Sequence, residues 1–164
     1  MRVLGIDPGS NVTGYGVVEK NGAGLRHVDN GCYRVRPAAS FPERLDAIFA
    51  CLSDAIARFH PDAVAVEKAF FAKNPMSALK LGESRGVAVL AAARSRLPVF
   101  EYSTREVKQA VTGYGQATKG QIQQMVLRIL ALPEPAAEDA SDALAVAICH
   151  LNSFRLKEAL RRSA

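Results

Sequence analysis

The order of apolar patterns along the chain predicts a mixed α/β domain, β-β-β-α-β-α-β-α-α-α, opening with an antiparallel hairpin. Three observations carry that prediction. Short apolar runs rich in β-branched residues recur at Val3–Ile6, Ala63–Val66 and Pro98–Tyr102, and each is too brief for a helix. Ser40 with Glu43, and Ser103 with Glu106, have the spacing of capping boxes and so mark helix starts between those runs. Leu45, Ile48, Phe49, Leu52, Ile56 and Phe59 then fall on one helical face, which must pack on a sheet.

Taken in order, Val3-Leu4-Gly5-Ile6 reads as a strand buried on both faces that ends at Asp7, because Pro8-Gly9 signals a turn. Residues 11–18 return as the second strand, and Leu25 to Arg36 as the third, with Gly31 an expected irregularity. The first helix runs from Ser40 to about Phe59 and stops at His60-Pro61-Asp62. Ala63 to Glu67 forms the fourth strand, apolar until its last residue. Residues 68–75 read as a loop, followed by a long helix from Met76 to Arg96. In that helix Gly82 and Gly86 lie four apart and invite another backbone close, from within the fold or from a second copy. Pro98 to Tyr102 is the fifth strand. A short helix from Ser103 to Val111 closes at Gly113-Tyr114-Gly115, a segment that reads equally as a helix terminator and as a flexible DNA-side loop. Thr118 starts a helix ending near Leu132, and Pro133-Glu134-Pro135 leads into the last, about Ala136 to Leu151.

No repeat or linker divides the 164 residues, so a single domain over 1–164 is expected, with a basic tail from about residue 155. The longest uncharged apolar stretch, Gly86 to Ala93, is too short to span a bilayer, and no signal-peptide core stands at the N-terminus; a cytoplasmic location is expected. Cys32, Cys51 and Cys149 are odd in number and far apart, which argues against a disulfide framework and a thiolate zinc site. The net charge is +5, and between Lys68 and Ala131 ten Lys/Arg face three Glu. That imbalance suits a polyanionic ligand, although a solvated basic surface accounts for it as well.

The acids carry the chemistry. Asp7 and Glu67 end apolar strands and share one sheet edge if those strands are parallel neighbours. Asp139 and Asp142, three apart, project from one face of the last helix among Ala136, Ala137, Ala140, Ala143 and Ala145. Carboxylates on an alanine-rich packing face are costly unless a base or a metal neutralises them, and no Lys or Arg occurs from Glu134 to His150. Oxygen donors without His or Cys favour Mg²⁺ or Mn²⁺. Two such ions, about 3.5–4 Å apart, support phosphodiester hydrolysis. The plainer readings are a turn residue for Asp7 and a helix-dipole partner for Asp139, worth about 0.3–1 kcal/mol.

The segments Gly5-Ile6-Asp7-Pro8-Gly9, Glu67 to Asn74, Ser77 to Gly82 with Arg85-Gly86, Pro98 to Tyr102, and Asp139 to Ala145 resemble the RuvC family of bacterial Holliday-junction resolvases. The likeness spans nearly the whole chain. It implies a ribonuclease-H-like mixed five-stranded sheet flanked by helices, a homodimer, and Mg²⁺-dependent paired nicking of four-way junctions in recombination and repair. It also implies a working partnership with the RuvA and RuvB branch-migration complex. Carried over by position, Asp7, Glu67, Asp139 and Asp142 match the metal-binding catalytic acids. Phe70 matches an aromatic that stacks on a junction base, and Lys108 and Lys119 match basic residues near the cleaved strand, with Lys119 among the catalytic set. Lys73, flanking Phe70-Phe71, is expected at the DNA; no role is carried to Phe71. By themselves Lys108 and Lys119 are ordinary surface lysines, and a Phe pair is more often core. An actin-like or sugar-kinase phosphate-binding domain shares the Asp-x-Gly hairpin but needs a duplicated second half, for which 164 residues are too few. A non-catalytic junction-binding module is the other alternative, and the complete acid set speaks against it.

Overall fold

In the computed structural model, which describes residues 1–22, 24–68 and 74–162 (side chains through 154), the elements follow the expected order. They are β1 (Arg2–Asp7), β2 (Val12–Asn21), β3 (Gly24–Arg34), α1 (Phe41–Phe59), β4 (Ala63–Lys68), α2 (Pro75–Arg94), β5 (Val99–Ser103), α3 (Thr104–Thr112), α4 (Lys119–Ile129) and α5 (Glu138–Arg162). The five strands form one sheet in the order β3-β2-β1-β4-β5. β1 pairs antiparallel with β2 and parallel with β4, and β4 is parallel to β5. A single carboxyl-terminal edge is thereby shared by β1, β4 and β5.

Alternation along the strands sorts the core into two layers. Leu4, Ile6, Val64 and Val66 face Ile48, Leu52 and Ile56 of α1 and Ala88, Ala91 and Ala92 of α2. Val3, Ala63, Ala65, Phe100 and Tyr102 face the other way, against α3, α4 and α5. By the same period of two, Gly5 and Asp7 follow Val3, and Glu67 follows Ala65, onto the α5 side.

Helix starts obey the local chemistry. The Glu43 carboxylate accepts from the Ser40 backbone N–H at 2.6 Å, and that of Glu106 from Ser103 at 2.8 Å. Asn74 caps α2 by accepting from the Ser77 N–H at 2.8 Å, with Pro75 in the first turn where no amide donor is missed. Gly113 ends α3 in the left-handed region, at φ 76°.

Some boundaries differ from expectation. The sheet irregularity lies not at Gly31 but between Val17 and Val18, where the partner shifts from Asp29 to His27 and leaves Val28 as the extra residue. Gly31 instead lies beneath the Tyr15 ring, which a Cβ there would approach to 2.8 Å. α4 stops at Ile129 rather than near Leu132, and α5 runs to Arg162, well past Leu151. Among the described residues nothing lies within 4 Å of a Cβ at Gly82 or Gly86, so none of them makes the close approach these glycines invite. The close approaches are made elsewhere, by Gly5, Gly14 and Gly16.

Those three glycines form the bed on which α5 lies. Gly5 of β1 pairs with Gly16 of β2, and Asp7 pairs with Gly14. A Cβ at Gly5 would run into the Ala143 carbonyl, one at Gly14 into the Asp139 carbonyl, and one at Gly16 would stand 2.7 Å from the Leu144 side chain. Backbone is among the obstacles at all three, the Leu144 nitrogen standing 2.7 Å from a Cβ at Gly16, so no rotamer change relieves it. Replacing Gly5 by Ala should therefore cost about 1–3 kcal/mol or more of folding stability. Gly24→Ala, which faces open space, should be near neutral. Denaturant unfolding of both variants checks the contrast.

Candidate active site

Two strand ends and one helix start converge on the α5 side of the sheet edge. The parallel register pairs Ile6 with Val66, so the next residues, Asp7 and Glu67, stand side by side on neighbouring strands with both side chains on that face. α5 brings the other two acids. Its first turn lies over Gly14, the β2 partner of Asp7, and that contact is made by the backbone of Asp139 itself. Asp142, one turn on, precedes Ala143, whose carbonyl sits on Gly5. The four acids named from the sequence thus gather at one edge of the sheet, each half-buried and close enough for the other three to act on the charge of Asp7.

Their electrostatics report the crowding. Burial pushes the Asp7 carboxyl up to about 7, with the charges of Asp142, Glu67 and Asp139 adding to the shift. Burial also raises Glu67, opposed by a hydrogen bond from Thr104 and reinforced by Asp142. Asp142 is raised by burial despite the ammonium of Lys119 beside it. The half-buried carboxylate loses more from leaving water than the exposed lysine returns.

The neutralising base absent from residues 134–150 comes from another helix. Lys119, at the start of α4, donates to Glu138 and lies 3.1 Å from Asp142. Burial draws its ammonium down, but the hydrogen bonds to Glu138 and Asp142 outweigh that and hold it above the ordinary lysine range. Lys108, half-buried on α3, lies close enough to lower Glu67 electrostatically. Phe70 and Lys73 lie outside the described residues.

Two contributors were not anticipated from sequence. Thr104 donates its hydroxyl to Glu67. It follows Ser103, which pairs with Lys68 on β4, so it lands beside the end of that strand. Only the β4–β5 register reveals this. Glu138 shares Lys119 with Asp142, and its signal would have been its place one residue before Asp139, in the same first turn.

The donor set is all oxygen, and three carboxylates act on a fourth, which is the charge pattern a hard divalent cation relieves. Among the described residues, no three His, Cys, Asp or Glu side chains close around one point tightly enough to chelate an ion. One oxygen of Asp142 is engaged by Lys119 and one of Glu67 by Thr104. The backbone places the donors, and the residues present fit a metal by chemistry and charge.

A five-stranded mixed sheet in the order β3-β2-β1-β4-β5, with helices on both faces and acids at its parallel strand ends, places the chain in the ribonuclease-H-like class of folds. The family model for crossover junction endodeoxyribonuclease RuvC matches residues 3–150. Among similar proteins, the crossover junction endodeoxyribonuclease RuvC of Syntrophotalea carbinolica is 58% identical over 98% of this chain and 99% of its own. That of Geobacter sp. strain M21 is 56% identical over 98% of both. The structure of T. thermophilus RuvC in complex with a Holliday junction substrate superposes with a TM-score of 0.90 at 38% identity, covering 96% of each chain. The chain belongs to the RuvC family of crossover junction endodeoxyribonucleases.

The raised Asp7 carboxyl has a consequence for stability. Its folded pKa lies above the unfolded value of 3.8, so the folded state holds the extra proton between those values. Stability of the metal-free protein should fall as pH rises from about 4 through 7. Asp7→Asn should flatten that fall and raise the melting midpoint above pH 7 by several degrees. Thermal melts from pH 5 to 8 in a chelating buffer provide the measurement.

Proposed function

We propose that this chain cuts four-way DNA junctions by metal-dependent hydrolysis, with Asp7, Glu67, Asp139 and Asp142 holding the ions and Lys119 completing the catalytic group. The single observation that supports the assignment is the seating of α5 on Gly5, Gly14 and Gly16, which delivers both helix acids to the two strand-end acids. Mg²⁺, with Mn²⁺ able to replace it and two ions per site, would supply a hydroxide at neutral pH and charge stabilisation at the leaving oxygen. The protein's own share is positioning. Thr104 orients Glu67, and the strand-end placement of Asp7 fixes its carboxylate against the sheet. Lys119 and Lys108 lie at the rim, where a scissile phosphate would bring negative charge beside the acids. Phe70 and Lys73 are assigned to junction DNA by the family resemblance, Phe70 by stacking on a base.

Symmetric cuts require two active sites, and α2 offers a face for a second copy. Met76, Leu79 and Leu90 are 63%, 59% and 51% exposed, and Gly82 and Gly86 between them stand open. Those positions follow one stripe at helical spacing. Leu90→Glu should shift the protein from dimer to monomer at micromolar concentration in sedimentation. Partnership with the RuvA and RuvB branch-migration complex is expected from the family.

A synthetic four-way junction incubated with Mg²⁺, with cuts mapped on all four strands, tests the whole reading. Paired nicks on opposite strands are expected, and binding without cutting would overturn it. Asp7→Asn and Glu67→Gln should abolish cutting and keep or improve junction binding, since negative charge near the phosphates is removed. Thr104→Val should lose about 10–100-fold in rate, as removal of an outer-shell partner does. Cleavage time courses and gel-shift titrations on the three variants separate these effects.

A further inference from the structure

The turn between α3 and α4 presents an aromatic ring to solvent, its hydroxyl donating to the Gln116 side chain at 3.4 Å. Tyr114 is 58% exposed, yet its backbone is braced from every side. Its N–H donates to the Thr112 hydroxyl at 3.1 Å, its carbonyl accepts from the Ala117 N–H at 3.2 Å, and the Gln109 amide donates to the Gly113 carbonyl at 2.7 Å. The Arg105 side chain fills the space where a Cβ on Gly115 would stand, at 3.0 Å. Ending α3 requires Gly113 in the left-handed region and asks nothing apolar of the next residue. Beyond that one long hydrogen bond, a braced turn that holds the ring's face in water gains little from it until something covers the face.

Beside the ring lies a groove of about 650 Å³, lined along α4 by Thr118, Gln121, Gln124, Met125 and Arg128. None of its lining residues is acidic, next to a site crowded with carboxylates. Gly120 and Gln123 line both this groove and the cleft of about 170 Å³ that holds Lys119, Glu138 and Asp142. The two depressions therefore adjoin across α4, and the open space over Gly120 leaves room for a chain to pass from the acids toward the groove.

We propose that this groove is a second DNA contact, in which the strand running on from the reacting phosphate packs a base on Tyr114 and sets a backbone phosphate at Arg128. The inference rests on the nuclease reading above. Amide and hydroxyl groups of Gln121, Gln124 and Thr118 offer hydrogen bonds to sugar and phosphate without sequence readout, the ring offers a face to any base, and Arg128 supplies the charge.

The chain contains no tryptophan, so Tyr114→Trp puts its sole tryptophan at the turn. Titrated with a four-way junction in metal-free buffer, that variant should lose emission by stacking. Tyr114→Ala should weaken junction binding about tenfold, within the range of one lost stacked base, while Tyr114→Phe stays close to wild type. Arg128→Ala should reduce the salt slope of binding by about one. Melting midpoints should not move, since neither side chain is buried. Unchanged tryptophan emission at saturating junction, together with a wild-type affinity for Tyr114→Ala, overturns the groove and leaves the nuclease reading standing. A wild type that neither binds nor cuts the junction overturns both.

Discussion

Everything in the site depends on how closely one helix approaches one hairpin. α5 lies on β1 and β2 at a separation that only glycine permits, and the obstacles a side chain would meet are the helix's own carbonyls at Gly5 and Gly14 and Leu144 at Gly16. Packed interiors do not deform continuously, so a methyl group at Gly5 or Gly14 would lift the helix rather than bend it. The helix is fixed further along by a buried hydrogen bond between the Tyr102 hydroxyl and His150 Nδ1, at 2.8 Å, and by the Phe100 and Phe154 rings around it. Two acids on α5 then reach the strand ends without depending on loop order.

That placement has an electrostatic cost that the molecule meets only in part. Asp7 gains burial and three acidic neighbours, and its carboxyl rises to about 7. Lys119 offsets some of the charge at Asp142, from an exposed position where screening keeps such a pair weak. The residual repulsion destabilises the fold and would be eased by a divalent cation. On the proposed reading, stability and activity are opposed through the same four residues, the usual relation at a site built for ion binding.

α4 serves two purposes at its first turn. Its Lys119 faces the acids while Gln121 and Gln124 line the groove and Gly120 lines both, so one helix start separates the two depressions. α3 does the same in the opposite sense, with Thr104 at the Glu67 end and Tyr114 just beyond the other. On the readings proposed above, the pair forms a bracket that holds both its ends toward nucleic acid.

The chain's local chemistry was enough to settle the element order, because capping boxes at Ser40 and Ser103, the glycine stop at Gly113 and strand-length apolar runs each act over a few residues. The acids were legible for the same reason: a carboxylate closing an apolar strand, or repeated at helical spacing on an alanine face, conflicts with its own surroundings. Long-range contact was not legible. Nothing near Asp142 in sequence announces Lys119, nothing near Glu67 announces Thr104, and Gly82 and Gly86 resemble a packing motif while Gly5, Gly14 and Gly16 are the glycines that α5 covers. Which glycine is covered, and which base meets which acid, depends on strand register and on the seat of a helix more than a hundred residues away along the chain. Those are properties of the assembled sheet, and no local pattern encodes them.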